Sequence, residues 1–299
     1  MKVDLCMWTF NGAKTLEPVL RQINRVIPEC VVGQRLIVDD GSTDETVKIA
    51  GACGWRVIRN EGKGISDGAN TALKHVETDF FCSFEQDLFL SPSWWKSASK
   101  RIQKENVAAA SGIRHHYPSV SMRLLHEYTA ERYVDWLKGL PVYLNTEARL
   151  KSAMSWGRTL DNTIYKSNVI AELGGFPSLP VSGGVDTVLT WRISNAGYVW
   201  DVDFNVVSLH LNKTFRNELR SQFFYGSCWD TIWREVPSLP VNMFTAASRF
   251  LFSPISAVHP ALVKRCPTIL IAYPLCRLQV LRGLLSSRKN GGVKRCRKI

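Results

Sequence analysis

The sequence predicts an α/β fold: a mostly parallel sheet flanked by helices, followed by a basic, amphipathic helical extension at the C-terminus. Three observations carry this expectation. Short apolar strands alternate with amphipathic helices through residues 3–84, and such alternation implies right-handed crossovers and parallel pairing. Three of those strands end in polar or acidic residues. All but one unit of the excess positive charge lies after residue 235.

The elements follow in order. Val3–Thr9 reads as the first strand, Asn11-Gly12 as a turn, and a helix runs on to about Ile27 with Leu16, Val19, Leu20, Ile23 and Ile27 at helical spacing. Arg35–Asp39 is a second strand ending in carboxylates. Ser42-Thr43-Asp44-Glu45 then predicts a helix start, with a hydroxyl as N-cap and an acid in the first turn. Trp55–Arg59 is a third strand, Gly62-Lys63-Gly64 a loop, and Ile65–His75 a helix. Phe80–Phe84 is a fourth strand ending in Glu85 and Asp87. Downstream, Met122–Leu137, 164–176 and 184–197 read as helical and Tyr198–Leu211 as strand.

Charge divides the 299 residues unevenly. The net charge is +12, yet eleven of the 38 Lys and Arg follow Glu235 and no acid does, so residues 1–235 hold 27 bases against 26 acids, a net of +1. A basic, apolar, acid-free segment is drawn to anionic lipid; a solvated tail is the plainer alternative. Nucleic acid is not an expected partner, because that would require bases spread over a folded face. None of the eight Cys forms a C-x-x-C pair, which leaves a zinc site without its spacing. The opening MKVDLCMWTF reads as a strand rather than a signal peptide, so a cytoplasmic setting is expected.

Ligands of such sheets bind outside the carboxyl ends of the strands, where Thr9-Phe10-Asn11, Asp39-Asp40 and Glu85-Gln86-Asp87 are expected to converge. Adjacent Asp39 and Asp40 repel each other unless a cation, a base edge or ribose hydroxyls engage them; acids complementing a helix start are the simpler reading. Acid-x-acid at Glu85–Asp87 can present oxygens to Mg²⁺ or Mn²⁺, or can be an exposed turn. Asn60-Glu61-Gly62-Lys63-Gly64 can set Lys63 and backbone N–H groups beside a diphosphate, or simply precede a helix. Asp186, after Gly183-Gly184, can serve as a general base or complement a helix dipole. His210, at a strand end, is a metal or phosphate ligand or a structural histidine.

In this order the segments resemble the family 2 glycosyltransferases. The Thr9-Phe10-Asn11 turn, the V-D-D-G-S-T-D block at Val38–Asp44, the N-x-G-K-G loop at Asn60–Gly64 with Asn70 behind it, and the acid-x-acid triplet followed by Pro92 all match. So do Gly174-Gly175-Phe176, Asp186, Arg192 with Ala196-Gly197-Tyr198, His210 and Phe223-Phe224-Tyr225-Gly226. The resemblance covers residues 2–226 and departs at Glu85, where the family has Asp, and at Val185, where it has an acid. The Q-x-x-R-W element of processive synthases is absent, which favours single-sugar transfer.

The resemblance implies a GT-A type, Rossmann-like domain over 1–235 and an inverting transfer from a nucleotide-diphosphate sugar to an acceptor hydroxyl. It implies Asp186 as catalytic base, and Thr9, Asn11, Asp39, Asp40, Lys63, Asn70, Glu85 and Gln86 at the nucleotide sugar. Asp87 and His210 would hold a divalent metal, Mg or Mn. The extension, 236–299, is expected to lie as amphipathic or re-entrant helices on the cytoplasmic face of an anionic membrane, since its charge-free stretches are too short to span. A glycan or lipid-linked saccharide fits as acceptor. The rival expectation, kept open by Glu85 and Val185, is an impaired relative acting as a carbohydrate- or membrane-binding partner protein.

Overall fold

A computed structural model describes residues 1–139, 158–181, 183–237 and 242–289. The chain divides into two compact units, one of Met1–Arg114, Asn145–Ser178 and Leu189–Leu211, the other of His115–Leu144, Leu179–Val188 and Asn212–Ile299.

The first unit is built on an eight-stranded sheet of order β3-β2-β1-β4-β7-β6-β8-β5. Its strands are β1 (Val3–Thr9), β2 (Val32–Asp39), β3 (Arg56–Arg59), β4 (Phe80–Phe84), β5 (Leu88–Phe89), β6 (Val107–Pro118), β7 (Thr163–Lys166) and β8 (Val199–Lys213). The helices that begin in it are α1 (Leu16–Val26), α2 (Thr46–Ala52), α3 (Gly64–Lys74), α4 (Trp94–Ile102) and α6 (Ser167–Glu172). β3, β2, β1 and β4 are parallel, as the alternating pattern requires. Beyond β4 the sheet turns antiparallel, β4 to β7 and β7 to β6. Parallel pairing therefore ends where the crossover helices end.

The apolar stripe of α1 buries Leu16, Val19, Leu20 and Ile23 completely, in one core with Leu5 and Met7 of β1, Phe84 of β4 and Trp94 of α4. At roughly 1.5–3 kcal/mol for each large apolar side chain removed from water, this layer holds α1 and α4 to the sheet.

Two local expectations are corrected. No helix begins at Ser42; α2 starts at Thr46, because the preceding side chains are taken by other segments. Ser42 Oγ accepts from Asn11 N–H (2.9 Å) and the Asp44 carboxylate from Ala13 N–H and Thr46 N–H (3.1 Å each). Residues 164–176 are not one helix either. Thr163–Lys166 forms β7, whose Tyr165 ring stacks on Phe81 of β4 (centroids 4.9 Å apart), and only Ser167–Glu172 is helical.

The second unit is helical, with α5 (Val120–Gly139), α8 (Phe215–Glu235), α9 (Met243–Leu251), α10 (Ser253–Val263) and α11 (Ile269–Lys289); α7 (Val185–Asn195) begins in it. Its core joins Met122 and Leu125 to Ala257, Ala261, Cys266, Ile269, Ala272 and Cys276. α8 and α11 meet backbone to backbone: a Cβ on Gly226 would strike the Val280 carbonyl, and one on Gly283 the Phe223 carbonyl. Arg288 closes the pair with an ion pair to Asp230 (2.9 Å). A boundary at 235/236 therefore coincides with neither unit, since α8 before it packs on α11 after it. Residues 290–299, with the last basic cluster, lie outside the described residues, as do residues 140–157.

Candidate active site

Parallel pairing of β2, β1 and β4 brings their C-terminal ends to one edge. Asp40 N–H donates to Thr9 O (2.9 Å), and Asn60 N–H to Asp39 O (2.8 Å), so the chain segments leaving β1, β2 and β3 stay laced together. Gln86 ties in the segment after β4: Thr9 Oγ1 donates to its Oε1, Phe10 N–H donates to the same oxygen (3.2 Å), and its Nε2 donates to Phe10 O (3.2 Å). Gly12 permits this, because a Cβ there would come within 2.5 Å of Gln86 Oε1 and 3.0 Å of Thr9 Oγ1. Asn11, at φ 49°, accepts on Oδ1 from Thr43 N–H (2.9 Å) and so clips the first turn to the second.

The two adjacent carboxylates have different surroundings. Asp39 is buried; its Oδ2 accepts from Gly41 N–H (3.1 Å) and Ser42 N–H (3.0 Å), while its Oδ1 is buried with no hydrogen-bond partner. A buried carboxylate oxygen without a donor is costly and calls for an explanation, a ligand among them. Asp40 is committed to the loop after β3. Its Oδ1 accepts from Asn60 Nδ2 (2.9 Å) and its Oδ2 from Gly64 N–H (3.1 Å). Asp44 is exposed. What burial it has raises its pKa, but hydrogen bonds from Thr46 and Ala13 outweigh that and hold it below the usual carboxylate range.

The third group gathers Glu85, Asp87 and His210, whose ligand atoms all lie within 4.8 Å of one another. Backbone register makes the meeting: β5 pairs antiparallel with β8, Leu88 opposite His210, and Leu211 N–H donates to Asp87 O (2.7 Å). His210 is buried, with Nε2 2.9 Å from Glu85 Oε2 and Nδ1 3.4 Å from Asp87 Oδ2. Two carboxylates and an imidazole make an oxygen-rich donor set of the kind that suits Mn²⁺ or Mg²⁺ with substrate or water completing the shell. The residues fit such an ion.

Sequence reading missed what stands behind this cluster. Arg114, near the end of β6, donates from Nη1 to Asp161 Oδ2 (2.8 Å) and to Glu85 Oε2 (3.2 Å). Asp161 is only 1% exposed. Neither residue sits in a motif, and alternation along an antiparallel strand was the only available signal. Asn60 was legible within its loop motif, yet its clamp on Asp40 was not.

The other expected residues have these local partners. The Asn70 amide donates to Phe176 O (2.9 Å) and accepts from Phe176 N–H (2.8 Å), so it pins α3 to the Gly174-Gly175 turn. Lys63 is exposed at the start of α3, its N–H donating to Asp67 Oδ2 (2.8 Å). Asp186 is half-buried in the first turn of α7, where its Oδ1 accepts from Thr187 N–H (2.8 Å).

The sheet edge that gathers these acids and the candidate cation cluster are those of a glycosyltransferase: the chain belongs to the glycosyl transferase family 2, whose sequence profile matches residues 4–165. Among its relatives is the glycosyltransferase AglE of Haloferax volcanii, 22% identical over 240 residues, 77% of this chain and 74% of that protein. Its fold is similar to the mannosyltransferase PcManGT from Pyrobaculum calidifontis, solved with GDP-Man and Mn²⁺ (TM-score 0.64, 15% identity, 97% of this chain and 87% of that one). It is also similar to glucosyl-3-phosphoglycerate synthase from Mycobacterium tuberculosis, solved with Mn²⁺, UDP-glucose and glycerol 3-phosphate (TM-score 0.56, 16% identity, 78% and 79%).

Proposed function

We propose that this enzyme moves a single sugar, with inversion, from a nucleoside-diphosphate sugar to an acceptor hydroxyl. The observation that carries the reading is the unpartnered, buried Oδ1 of Asp39 at the same sheet edge as the Glu85, Asp87 and His210 cluster. Asp39 accepts a hydrogen bond from a base N–H or a ribose hydroxyl. Asp40 holds the loop that carries Lys63, whose exposed ammonium serves the diphosphate. Thr9, Asn11 and Gln86 keep the edge in shape. Asn70 stays in the proposed donor-binding set by way of α3, which its amide ties to Phe176.

Asp87 and His210 would hold a divalent cation, Mn²⁺ or Mg²⁺, with Glu85, itself paired with Arg114, as a third ligand. Such a cation, when bound, offsets the charge that builds on a diphosphate leaving group. Asp186 takes the proton of the acceptor hydroxyl as the acceptor oxygen bonds to the anomeric carbon, and the bond from that carbon to the diphosphate breaks with the electron pair leaving on the nucleotide. The transfer machinery lies within 1–235. The basic extension, 236–299, attaches the enzyme peripherally to an anionic, cytoplasmic membrane face, and a lipid-linked saccharide is the acceptor class that suits such a place.

Asp186→Asn is expected to lower transfer at least a thousandfold in a nucleotide-release assay while nucleoside-diphosphate affinity, by calorimetry, stays within twofold. Unchanged turnover would remove Asp186 from the role of base. A second reading, an impaired relative, has one observation in its favour: the Arg114 guanidinium already balances Glu85. Absence of Mn²⁺ binding by paramagnetic resonance, together with absence of nucleotide-sugar hydrolysis across a donor panel, would favour it.

A further inference from the structure

Helix α10 is apolar on two opposite faces. Ala257, Pro260 and Ala261 are buried, and two of them join the core of the second unit. The other face carries Ile255, Val258 and Leu262 at i, i+3 and i+7, one stripe of a helix, exposed by 73%, 46% and 72%. Leu251 and Phe252, immediately before it, are 69% and 63% exposed. Burying large apolar groups on both sides of one helix is what a core helix or a membrane-facing helix does. Here the inner side has a partner within the protein, and the outer side is open to whatever the protein meets.

Charge decides between occupants. Arg249, its guanidinium over the Trp229 ring, precedes the stripe and exposed Arg265 follows it, with exposed Arg282 on α11. No acidic residue occurs after Glu235, and Glu131 of α5, beside the end of α10, is paired with Lys264 (2.7 Å). A second copy laid on this face would set like charges against each other. An anionic lipid surface satisfies both the apolar stripe and its basic ends.

α11 is the rival membrane element. By length and composition it is long and apolar enough to cross a bilayer. It is, however, locked along α8 by Gly226 and Gly283. α8 carries Arg216, Glu218, Arg220, Asp230, Arg234 and Glu235, so a spanning α11 would either drag these charges into hydrocarbon or tear away from its partner.

We propose that the outer stripe of α10, with Leu251 and Phe252, lies in the interfacial layer of an anionic bilayer while α11 remains on the protein side. This rests on the peripheral membrane attachment proposed above and specifies the face that makes it. The test is sedimentation of the full chain with phosphatidylcholine vesicles, with and without phosphatidylglycerol. Wild type is compared with Ile255→Glu/Leu262→Glu and with Arg249→Gln/Arg265→Gln.

The wild type is expected to pellet with the anionic vesicles and to be released by alkaline carbonate. The Glu pair should lower vesicle affinity at least tenfold with Tm unchanged, and the Gln pair should flatten the salt dependence. A wild type that stays in the supernatant overturns membrane attachment itself. Equal pelleting of the Glu pair overturns this face and leaves attachment standing. Carbonate-resistant wild type means that α11 spans, and a lipid-free dimer dissolved by the Glu pair means that a second copy covers the stripe; either result overturns the proposal.

Discussion

Asp39 and Asp40 are neighbours in sequence and opposites in use, and the difference can be measured. Asp39→Asn keeps one oxygen for the N–H groups of Gly41 and Ser42 and replaces the unpartnered Oδ1 with an NH₂. A hydrogen bond to a charged group is worth about 1.5–3 kcal/mol, so nucleoside-diphosphate affinity should fall at least tenfold by calorimetry while Tm moves little. Retained affinity would show that the oxygen faces no nucleotide. Arg114 makes a different prediction. Removing its charge strands Asp161 in the interior, and breaking a buried pair costs about 3–5 kcal/mol. Arg114→Met should lower stability by about 3 kcal/mol in urea titration, somewhat less than an isolated pair because Arg114 is itself partly exposed. Arg114→Met/Asp161→Asn should recover much of that loss, a coupling that a purely steric role for Arg114 would not give.

Among elements, the α8–α11 pair is the most constrained contact, because each glycine faces backbone rather than a side chain that can turn aside. Gly226→Val should therefore cost about 3 kcal/mol or more, at or beyond the upper end of the range usual for overpacking, and should drop Tm clearly in a thermal scan. A neutral result would mean that the helices separate freely. β5 is the opposite case. It has two residues, Leu88 and Phe89, yet its register against β8 is what sets His210 beside Asp87.

For the molecule as a whole, acid stability follows from carboxylates in paired surroundings. Burial raises the Asp203 pKa, but hydrogen bonds from Ser97, Asn205 N–H and Arg101, with the Arg101 charge, outweigh it and hold the group below its ordinary range. A group depressed in the folded state contributes stability above its unfolded pKa and loses it as pH falls through the folded one. Wild type should thus exceed Asp203→Asn in Tm above about pH 4, and the two curves should converge toward pH 2. Parallel curves throughout would mean that the charge of Asp203 contributes nothing.

Local pattern was enough to place β1 through β4 and the helices between them, apart from the start of α2: short apolar runs mark the strands, and Leu16, Val19, Leu20 and Ile23 announce α1 before anything packs on it. The Val38–Asp44 block and the acid-x-acid triplet were legible for the same reason, as contiguous residues at strand ends. The short strands β5 and β7 were not, since β7 exists through pairing with β4 and stacking of Tyr165 on Phe81. Nor were Arg114 and Asp161, which lie 47 positions apart and meet only across the sheet. The sequence by itself determined which acids stand at the ends of the parallel strands. Only tertiary structure decided that Asp39 keeps an oxygen in reserve, that Asp40 does not, and that Glu85 shares its charge with Arg114 and His210. Those outcomes depend on which distant donors arrive, and no local pattern encodes an arrival.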